Sequence, residues 1–543
     1  MASLLHRGAD ALIASLQRAG VRRLFTLSGN HIMPVFDAAL SAGMELVHVR
    51  HEAAAVHMAD AWARLTGEVG VALVTGGPGH ANAVSALYTA AMAESPVLLL
   101  SGHAPLSQAG KGAFQAMRQA DIAAPLCKAS WTVAESGAVA ADVARAWRLA
   151  ASGRPGPVHL SLPTDVLEAT CDAVGDLPAD AFAPAVQPLA AADATALRDR
   201  LRQAARPLVL TGPLTLTRSG RAQLAALEAA LGVPVIGMES PRGTADPALG
   251  AFAQQLSRAD CVLLLGKPLD FTLKFGQAPA LDAACAVLQV DPDDAEIQRT
   301  RRAMGPRLVA ACQADTLPAI AALRAAGDGP QRHAAWCTEL RAAIAYRPSA
   351  WDDAPAPDGG RLHPVQALRP LQALLDRHPQ AVLVCDGGEI GQWAQACLSA
   401  PHRLINGVAG AIGVALPFAA AARLAQPEAP VIAVCGDGSF GFHCAEIDTA
   451  LRYRLPYVVV VGNDARWNAE YQIQRRDYGA ERTVGCELLP TRYDAVCTAF
   501  GGHGEHVTAP QDLLPAAERA FASRLPACLN VVIDGVPAPV VRR

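Results

Sequence analysis

Two acidic residues stand where they could hold a metal ion. Asp437 lies within Gly436-Asp437-Gly438-Ser439, directly after the apolar run Val431 to Cys435, and Asp464 closes a second apolar run 27 positions later. In an open parallel sheet, ligands gather beyond the carboxyl ends of the strands, so the two carboxylates can converge. The glycines let the backbone approach an anion closely, and the helix expected next would offer free N–H groups to a phosphate. Magnesium takes about six oxygens, usually from one or two carboxylates together with phosphates and water. A lone Gly-Asp-Gly is more often an ordinary turn; a second strand-ending acid makes this pair a candidate metal and phosphate site.

Such a site needs strands and helices to hold it. Short β-rich apolar runs alternate with longer Ala-rich helical stretches, the pattern of parallel sheets covered by helices on both faces. The pattern starts three times. Early strands are predicted at Val69 to Thr75, Val97 to Ser101 and Val158 to Leu162, and middle ones at Pro207 to Thr211, Val233 to Ile236, Cys261 to Leu265 and Ala286 to Val290. Late strands are predicted at Ala381 to Cys385, Val431 to Cys435, Tyr457 to Val461 and Cys528 to Ile533. Two Pro/Ala/Asp-rich segments, about Leu177 to Ala192 and Pro348 to Pro364, lack periodicity and read as linkers. The expectation is an α/β protein of three doubly wound parallel-sheet domains, at about 1–175, 190–327 and 360–543.

Composition narrows the function classes. With 543 residues, 51% hydrophobic and 18% charged, the chain can bury a core in each domain. A formal charge of -4 and the lack of basic runs make nucleic acid an unexpected partner. No apolar stretch reaches the roughly 20 residues of a membrane span, so no membrane partner is expected. Met1 to Gly20 carries Asp10 and reads as an amphipathic helix rather than a signal peptide, which predicts a cytoplasmic location. The 13 cysteines show no paired spacing for zinc or redox work and read as small buried hydrophobes.

The segment GDGSFGFHCAEIDTALRYRLPYVVVVGND resembles the cofactor motif of the thiamine diphosphate family that includes acetolactate synthase, pyruvate oxidase and benzaldehyde lyase, and the likeness extends over nearly the whole chain. The resemblance implies pyrimidine-binding, central and diphosphate-binding domains in that order, with thiamine diphosphate and Mg2+ as cofactors. It implies metal ligands at Asp437, Asp464 and the backbone carbonyl of Arg466, with Gly436, Gly438, Ser439, Trp467 and Asn468 around the diphosphate. Asp464 departs from the family's usual neutral Asn, so an extra negative charge beside the diphosphate is expected to cost affinity.

Other segments extend the likeness. Arg50-His51-Glu52 resembles the family's RHE motif, which gives Glu52 the role of the acid at the aminopyrimidine ring; on its own, an acid here would merely favour a helix's first turn. Thr75-Gly76-Gly77-Pro78-Gly79-His80-Ala81-Asn82 resembles the TSGPGATN loop, making Thr75, Pro78 and Asn82 cofactor contacts. Gly410-Ala411-Ile412-Gly413 resembles the GAMG segment and makes Ile412 the wedge that bends the cofactor, a task a stiff β-branched side chain suits. Gly388, Glu389 and Ile390 match another cofactor-contacting loop with little residue identity.

For substrate, Leu24 to His31 and Phe114-Gln115-Ala116 resemble benzaldehyde lyase, which makes His31 the acid–base residue and Gln115 an orienter of a carbonyl oxygen. His80, Arg466 and Glu470 could also face the pocket, with no role assigned. Because the family's cofactor bridges two chains, a homodimer or homotetramer is implied. Relatives bind FAD or ADP in the central domain; Arg242-Gly243-Thr244 and Phe271 to Gly276 share that pattern only in part, and no GxGxxG follows a strand.

The expected activity is that of a carboligase or lyase, benzaldehyde lyase-like, on 2-hydroxyketones or aldehydes. The rivals are an acetolactate synthase-like or 2-oxo-acid decarboxylating enzyme, and a non-catalytic homologue that keeps the cofactor for structural or regulatory reasons. One scaffold carries many reactions, so fold cannot choose among them.

Overall fold

A computed structural model describes residues 6–171, 177–178, 180–326, 332–352 and 361–543. Three parallel sheets flanked by helices carry the chain, in the order of the three predicted domains. Residues 1–5 and parts of both predicted linkers fall outside the described residues. The N-terminal helix runs Gly8–Arg18 and buries Leu12, Ile13 and Leu16.

The first sheet holds β1 (Arg23–Thr26), β2 (Glu45–His48), β3 (Gly70–Val74), β4 (Val97–His103), β5 (Ala129–Thr132) and β6 (Val158–Pro163). Its spatial order is β2-β1-β3-β4-β6-β5. The central sheet holds β7 (Pro207–Thr211), β8 (Val235–Gly237), β9 (Cys261–Leu265), β10 (Ala286–Asp291) and β11 (Leu308–Gln313), in the order β8-β7-β9-β10-β11. The third holds β12 (Val382–Cys385), β13 (His402–Ile405), β14 (Val431–Gly436), β15 (Val458–Asn463), β16 (His503–Val507) and β17 (Ala527–Val532), in the order β13-β12-β14-β15-β17-β16. Every pairing in these sheets is parallel.

The first and third sheets therefore repeat one topology. In each, the chain steps to one edge and then crosses back, leaving a switch point beside the first strand, between β1 and β3 and between β12 and β14. At that point successive connections leave on opposite faces and open a crevice at the strands' carboxyl ends.

Alternation along the strands explains how a sheet can be buried on both sides. In the central sheet Val209, Leu263, Leu265, Leu288 and Val290 enter one core, while Leu208, Leu210, Val262, Leu264 and Val287 enter the other.

Each predicted strand exists, with ends shifted by no more than two residues. Six more in these three sheets were missed: Arg23–Thr26, Glu45–His48, Ala129–Thr132, Leu308–Gln313, His402–Ile405 and His503–Val507. Packing gathers the chain into two compact units. One comprises Met1–Ala185, Leu416–Ala425 and His443–Leu455, and holds the first sheet. The other comprises Val186–Ala415, Gln426–Phe442 and Pro456–Arg543, and holds the central and third sheets. Among the described residues no helix is long and apolar enough to cross a membrane.

Candidate active site

The first cluster lies at the switch point of the first sheet. His31 follows β1 in a short 3-10 turn, is 3% exposed, and holds its Nδ1 3.3 Å from Thr75 Oγ1, the residue just after β3. Phe114 stacks on the imidazole at 6.1 Å between ring centroids and 15° between planes. Burial lowers the pKa of His31, which favours the neutral ring, able to accept a proton.

Gly77 lets the Gln115 loop reach this turn. It has φ +59°, and a Cβ there would lie 2.7 Å from Cβ of Gln115 and 2.9 Å from its carbonyl oxygen. Gln115 itself adopts φ +57°. Gln119, which sequence reading missed, fixes the arrangement: its amide oxygen accepts from the Gly77 N–H at 2.9 Å, and its amide nitrogen donates to the Gly102 carbonyl at 3.0 Å.

Glu52 opens helix α1 (Glu52–Thr66) and is 8% exposed. Asn82, on helix α2 (Pro78–Met92), donates to Glu52 Oε2 at 3.0 Å. Pro78 takes the first position of α2, where its missing N–H costs nothing. Gly79 has no side chain where one would meet Thr75 Cγ2 at 2.7 Å and Glu52 Oε1 at 3.2 Å. The chain before Glu52 is also held: Glu446, 1% exposed, accepts from the backbone N–H of Arg50 at 3.0 Å and of His51 at 3.1 Å. His31, Thr75, Gln115, Pro78, Asn82 and Glu52 thus come together. His80 does not join them; it is fully buried, bonds Ser101 Oγ at 2.9 Å through Nδ1, and has its pKa pulled down to about 4 by burial.

The second cluster lies at the switch point of the third sheet. Asp437 follows Gly436 at the end of β14 and opens helix α4; that helix runs Asp437–His443, after α3 at Gly388–Cys397. Its Oδ1 accepts from the Gly438 N–H at 3.0 Å, whereas Oδ2 is buried with no hydrogen-bond partner among the described residues. Asp464 follows β15 and accepts from the Arg466 N–H at 3.1 Å. Burial pushes the Asp437 carboxyl up to about 6; burial and then the Asp437 charge push Asp464 up to about 7.

Two buried carboxylates, mutually repelling and with an oxygen left over, suit a hard divalent cation, whose charge would offset both the burial and the repulsion. No group of three or more His, Cys, Asp and Glu side chains that could hold a metal ion occurs among the described residues. The remaining ligands would be backbone, water or phosphate, the manner in which magnesium is usually held.

A cleft of about 350 Å³ opens over these acids. Every residue that sequence reading placed in this half lines it: Gly388, Glu389, Ile390, Gly410, Ile412, Gly436, Asp437, Gly438, Ser439, Asp464, Arg466, Trp467 and Asn468. Trp467 covers Gly438 so closely that a Cβ there would lie 2.4 Å from the indole. Asn468 points away to bind the Val536 carbonyl at 2.9 Å. A larger cavity, about 760 Å³, borders β8 and contains none of the residues chosen from sequence.

Asp386 is the main residue that sequence reading missed here. Fully buried, it accepts from the N–H groups of Gly387 at 2.6 Å, Gly413 at 3.1 Å and Ala415 at 2.9 Å, tying the loop after β12 to the loop that carries Ile412. Burial raises its pKa to about 6 against these donors. The one signal was positional: Asp386 follows a strand and precedes Gly387-Gly388, as Asp437 follows one and precedes Gly438. Asn406 was missed as well; it donates to the Ala411 carbonyl at 2.8 Å and lines the cleft.

Three descriptions of known protein domains match successive parts of the chain. The description "Thiamine pyrophosphate enzyme, N-terminal TPP binding domain" matches residues 6–122, the central domain of the same enzymes matches 194–320, and their C-terminal TPP binding domain matches 386–531. A probable acetolactate synthase of Mycobacterium bovis is 34% identical over 98% of this chain and 96% of its own length. The 2-hydroxyacyl-CoA lyase 2 of Mus musculus is 32% identical over 92% of this chain and 85% of its own, and that of Homo sapiens is 32% identical over 93% and 85%.

Proposed function

Because the chain belongs to the thiamine pyrophosphate enzyme family, we propose that it is a thiamine diphosphate- and magnesium-dependent lyase and carboligase acting on 2-hydroxyketones or aldehydes. The observation that carries the substrate half of this reading is His31 beside Thr75, which with Glu52 crowds the space above Gly79. A proton-transfer candidate and the activating acid thus lie on either side of one threonine.

Thiamine diphosphate, when bound, supplies an acidic carbon that adds to a carbonyl and takes up the charge released when the neighbouring C–C bond breaks. Asp437, Asp464 and the Arg466 carbonyl would hold the cation, whose positive charge would favour the diphosphate beside it. Ile412 shapes the rings; its Cγ2 fills the space that a Cβ on Gly387 would need, 2.5 Å away, so the wedge has a firm back. Glu52 holds a proton at an aminopyrimidine nitrogen, with Asn82 keeping the carboxyl in place. His31, kept neutral by burial, accepts the substrate hydroxyl proton during cleavage and returns it in ligation. Gln115 orients the substrate carbonyl.

Glu52 of one chain and Asp437 of another would serve each cofactor, which makes the enzyme a homodimer or a pair of dimers. Domain limits of 1–175, 190–327 and 360–543 are kept, and a cytoplasmic location fits 13 cysteines without a disulfide. The central domain is assigned a structural role, because Arg242-Gly243-Thr244 packs on the 271–276 turn so tightly that a Cβ on Gly243 would lie 2.0 Å from the Thr272 carbonyl oxygen.

A second reading has support from the mycobacterial relative named an acetolactate synthase: decarboxylation of a 2-oxo acid before ligation. Assays on benzoin-type 2-hydroxyketones beside pyruvate, with carbon dioxide followed, separate the two. Cleavage of the hydroxyketone is expected; activity on pyruvate alone would reject the lyase reading.

A further inference from the structure

The cavity of about 760 Å³ beside β8 takes no part in the chemistry described so far. It lies within the unit that holds the central and third sheets and shares no lining residue with the cofactor cleft. Its walls include the helices Arg218–Leu231 and Ala334–Ala345, strand β8, and the last turn of α3 with the 398–403 segment that follows it.

Buried polar groups line this space without partners. Gln395 is 1% exposed, yet neither its amide nitrogen nor its amide oxygen has a hydrogen-bond partner among the described residues. Arg221 Nη2 is buried without one as well; Glu239 Oε1 stands 3.6 Å away and already accepts from Arg403 at 2.7 Å. Among the described residues Arg347 donates only to carbonyls, those of Ala396 at 2.7 Å, Ile344 and Tyr346 at 2.8 Å, and Ala248 at 3.3 Å. Burial lowers the pKa of Arg221 and of Arg347, so neither charge is fully compensated. Asp246 lies behind the wall, bonded to the Ala248 N–H at 2.8 Å, and burial raises its pKa, so it offsets them weakly. The remaining arginine of the lining, Arg341, is paired with Glu228.

These groups define what would fill the space. A primary amide both donates and accepts, so a partner for Gln395 must accept one hydrogen bond and donate another. Guanidinium forks match the two oxygens of a carboxylate. Two forks suit two carboxylates, a hydroxyl beside one of them supplies the missing donor, and Leu224, Leu249 and Ile344 give the carbon chain an apolar wall. The glycines of the lining, Gly232 and Gly237, are isolated and form no glycine-rich turn of the kind that cradles a phosphate.

We propose that this cavity is a binding site for a hydroxydicarboxylate, a small dianion with one hydroxyl. The Gln395 amide accepts from the hydroxyl and donates to a carboxylate, and Arg221 and Arg347 hold the two carboxylates. Along α3, Gln395 stands about 10 Å from Gly388 of the cofactor cleft at 1.5 Å per residue, so the ligand is held apart from the reacting atoms.

The probes are malate, in each enantiomer, and succinate, which lacks only the hydroxyl; each is titrated calorimetrically into enzyme loaded with thiamine diphosphate and a fixed excess of magnesium. Saturable binding of one malate enantiomer is expected, weakening with added salt and about tenfold tighter than that of succinate. Gln395→Met should bind that enantiomer about tenfold more weakly and no better than succinate, and Arg221→Met should weaken both ligands by about tenfold or more. Gln395→Met replaces an unpartnered amide by an apolar chain of similar length and should fold normally; Arg221→Met tests the site independently of it. Absence of saturable binding of either enantiomer at millimolar concentration, equal binding of malate and succinate by the wild type, or affinities unchanged in both variants overturns the proposal. The titration needs no turnover, so its failure is separate from a failure to cleave hydroxyketones.

Discussion

The first and third sheets have the same strand order and the same crevice, yet the polar residues beyond their strands are partnered in opposite ways. At the first, polar groups pair with one another: Glu52 with Asn82, His31 with Thr75, Gln119 with Gly77 and Gly102. At the third, two acids crowd each other and one buried oxygen of Asp437 has no hydrogen-bond partner among the described residues. The scaffold supplies a place, and in the function proposed above the side chains after the strands decide whether that place holds protons or a cation. A paired carboxyl can be kept at a set position for proton transfer, while an unrelieved pair of acids is incomplete until positive charge arrives.

The largest effect should come from breaking the proton-handling side. Glu52→Gln is expected to slow deuterium exchange at the cofactor's reactive carbon by about 10³-fold, as loss of a general acid–base group does, while the cofactor still binds. Exchange at the wild-type rate would remove Glu52 from that role. On the cation side, Asp437→Ala is expected to weaken magnesium-dependent cofactor binding by about 100-fold or more, measured by Trp467 fluorescence; a supporting ligand alone is worth about 10–100-fold. Equal affinity would place the cation elsewhere.

The strands that sequence reading missed show where legibility ends. Five of the six are edge strands: Glu45–His48, Ala129–Thr132, Leu308–Gln313, His402–Ile405 and His503–Val507. An edge strand has a neighbour on one side only and is covered less completely, so it lacks the unbroken apolar run of an inner strand. His503–Val507 carries two His and a Glu in five residues, whereas Val431–Gly436 is apolar almost throughout. The strand-end acids were legible because Asp437 and Asp464 follow such inner strands. Asp386 follows one too, but its partners are the backbone N–H groups of Gly413 and Ala415, far along the chain, and no residue pattern marks a backbone donor. Glu446 was hidden for the same reason, since it binds the backbone of Arg50 and His51.

Smaller effects sharpen the contrast. His31→Ala is expected to lower kcat/KM for hydroxyketone cleavage by about 100-fold without altering cofactor affinity; a parallel loss of cofactor would make the residue structural. Asp464→Asn removes the like charge beside Asp437 and should tighten diphosphate binding by up to about tenfold. If metal and cofactor affinity both stay unchanged, Asp464 is not a ligand.

Asp386 offers a pH test within the third sheet. Its folded pKa of about 6 lies above the ordinary 3.8, so its favourable contribution to stability is complete below about pH 4 and is lost as pH rises through 6. Between pH 4 and 7 the wild type should lose stability relative to Asp386→Asn by on the order of 2–4 kcal/mol, read from unfolding curves of cofactor-free protein. Parallel curves would mean that the carboxyl is already ionised at pH 4.

The decisive measurement mixes two disabled chains. Glu52→Gln and Asp437→Ala protein, each inactive alone, are unfolded, combined in equal amounts and refolded with thiamine diphosphate and magnesium. If each cofactor takes Glu52 from one chain and Asp437 from its partner, half the dimers are hybrids with one intact site, and about a quarter of wild-type activity returns. Folded, mixed dimers that stay inactive would contradict the account, because the two clusters would then not meet on one cofactor across two chains.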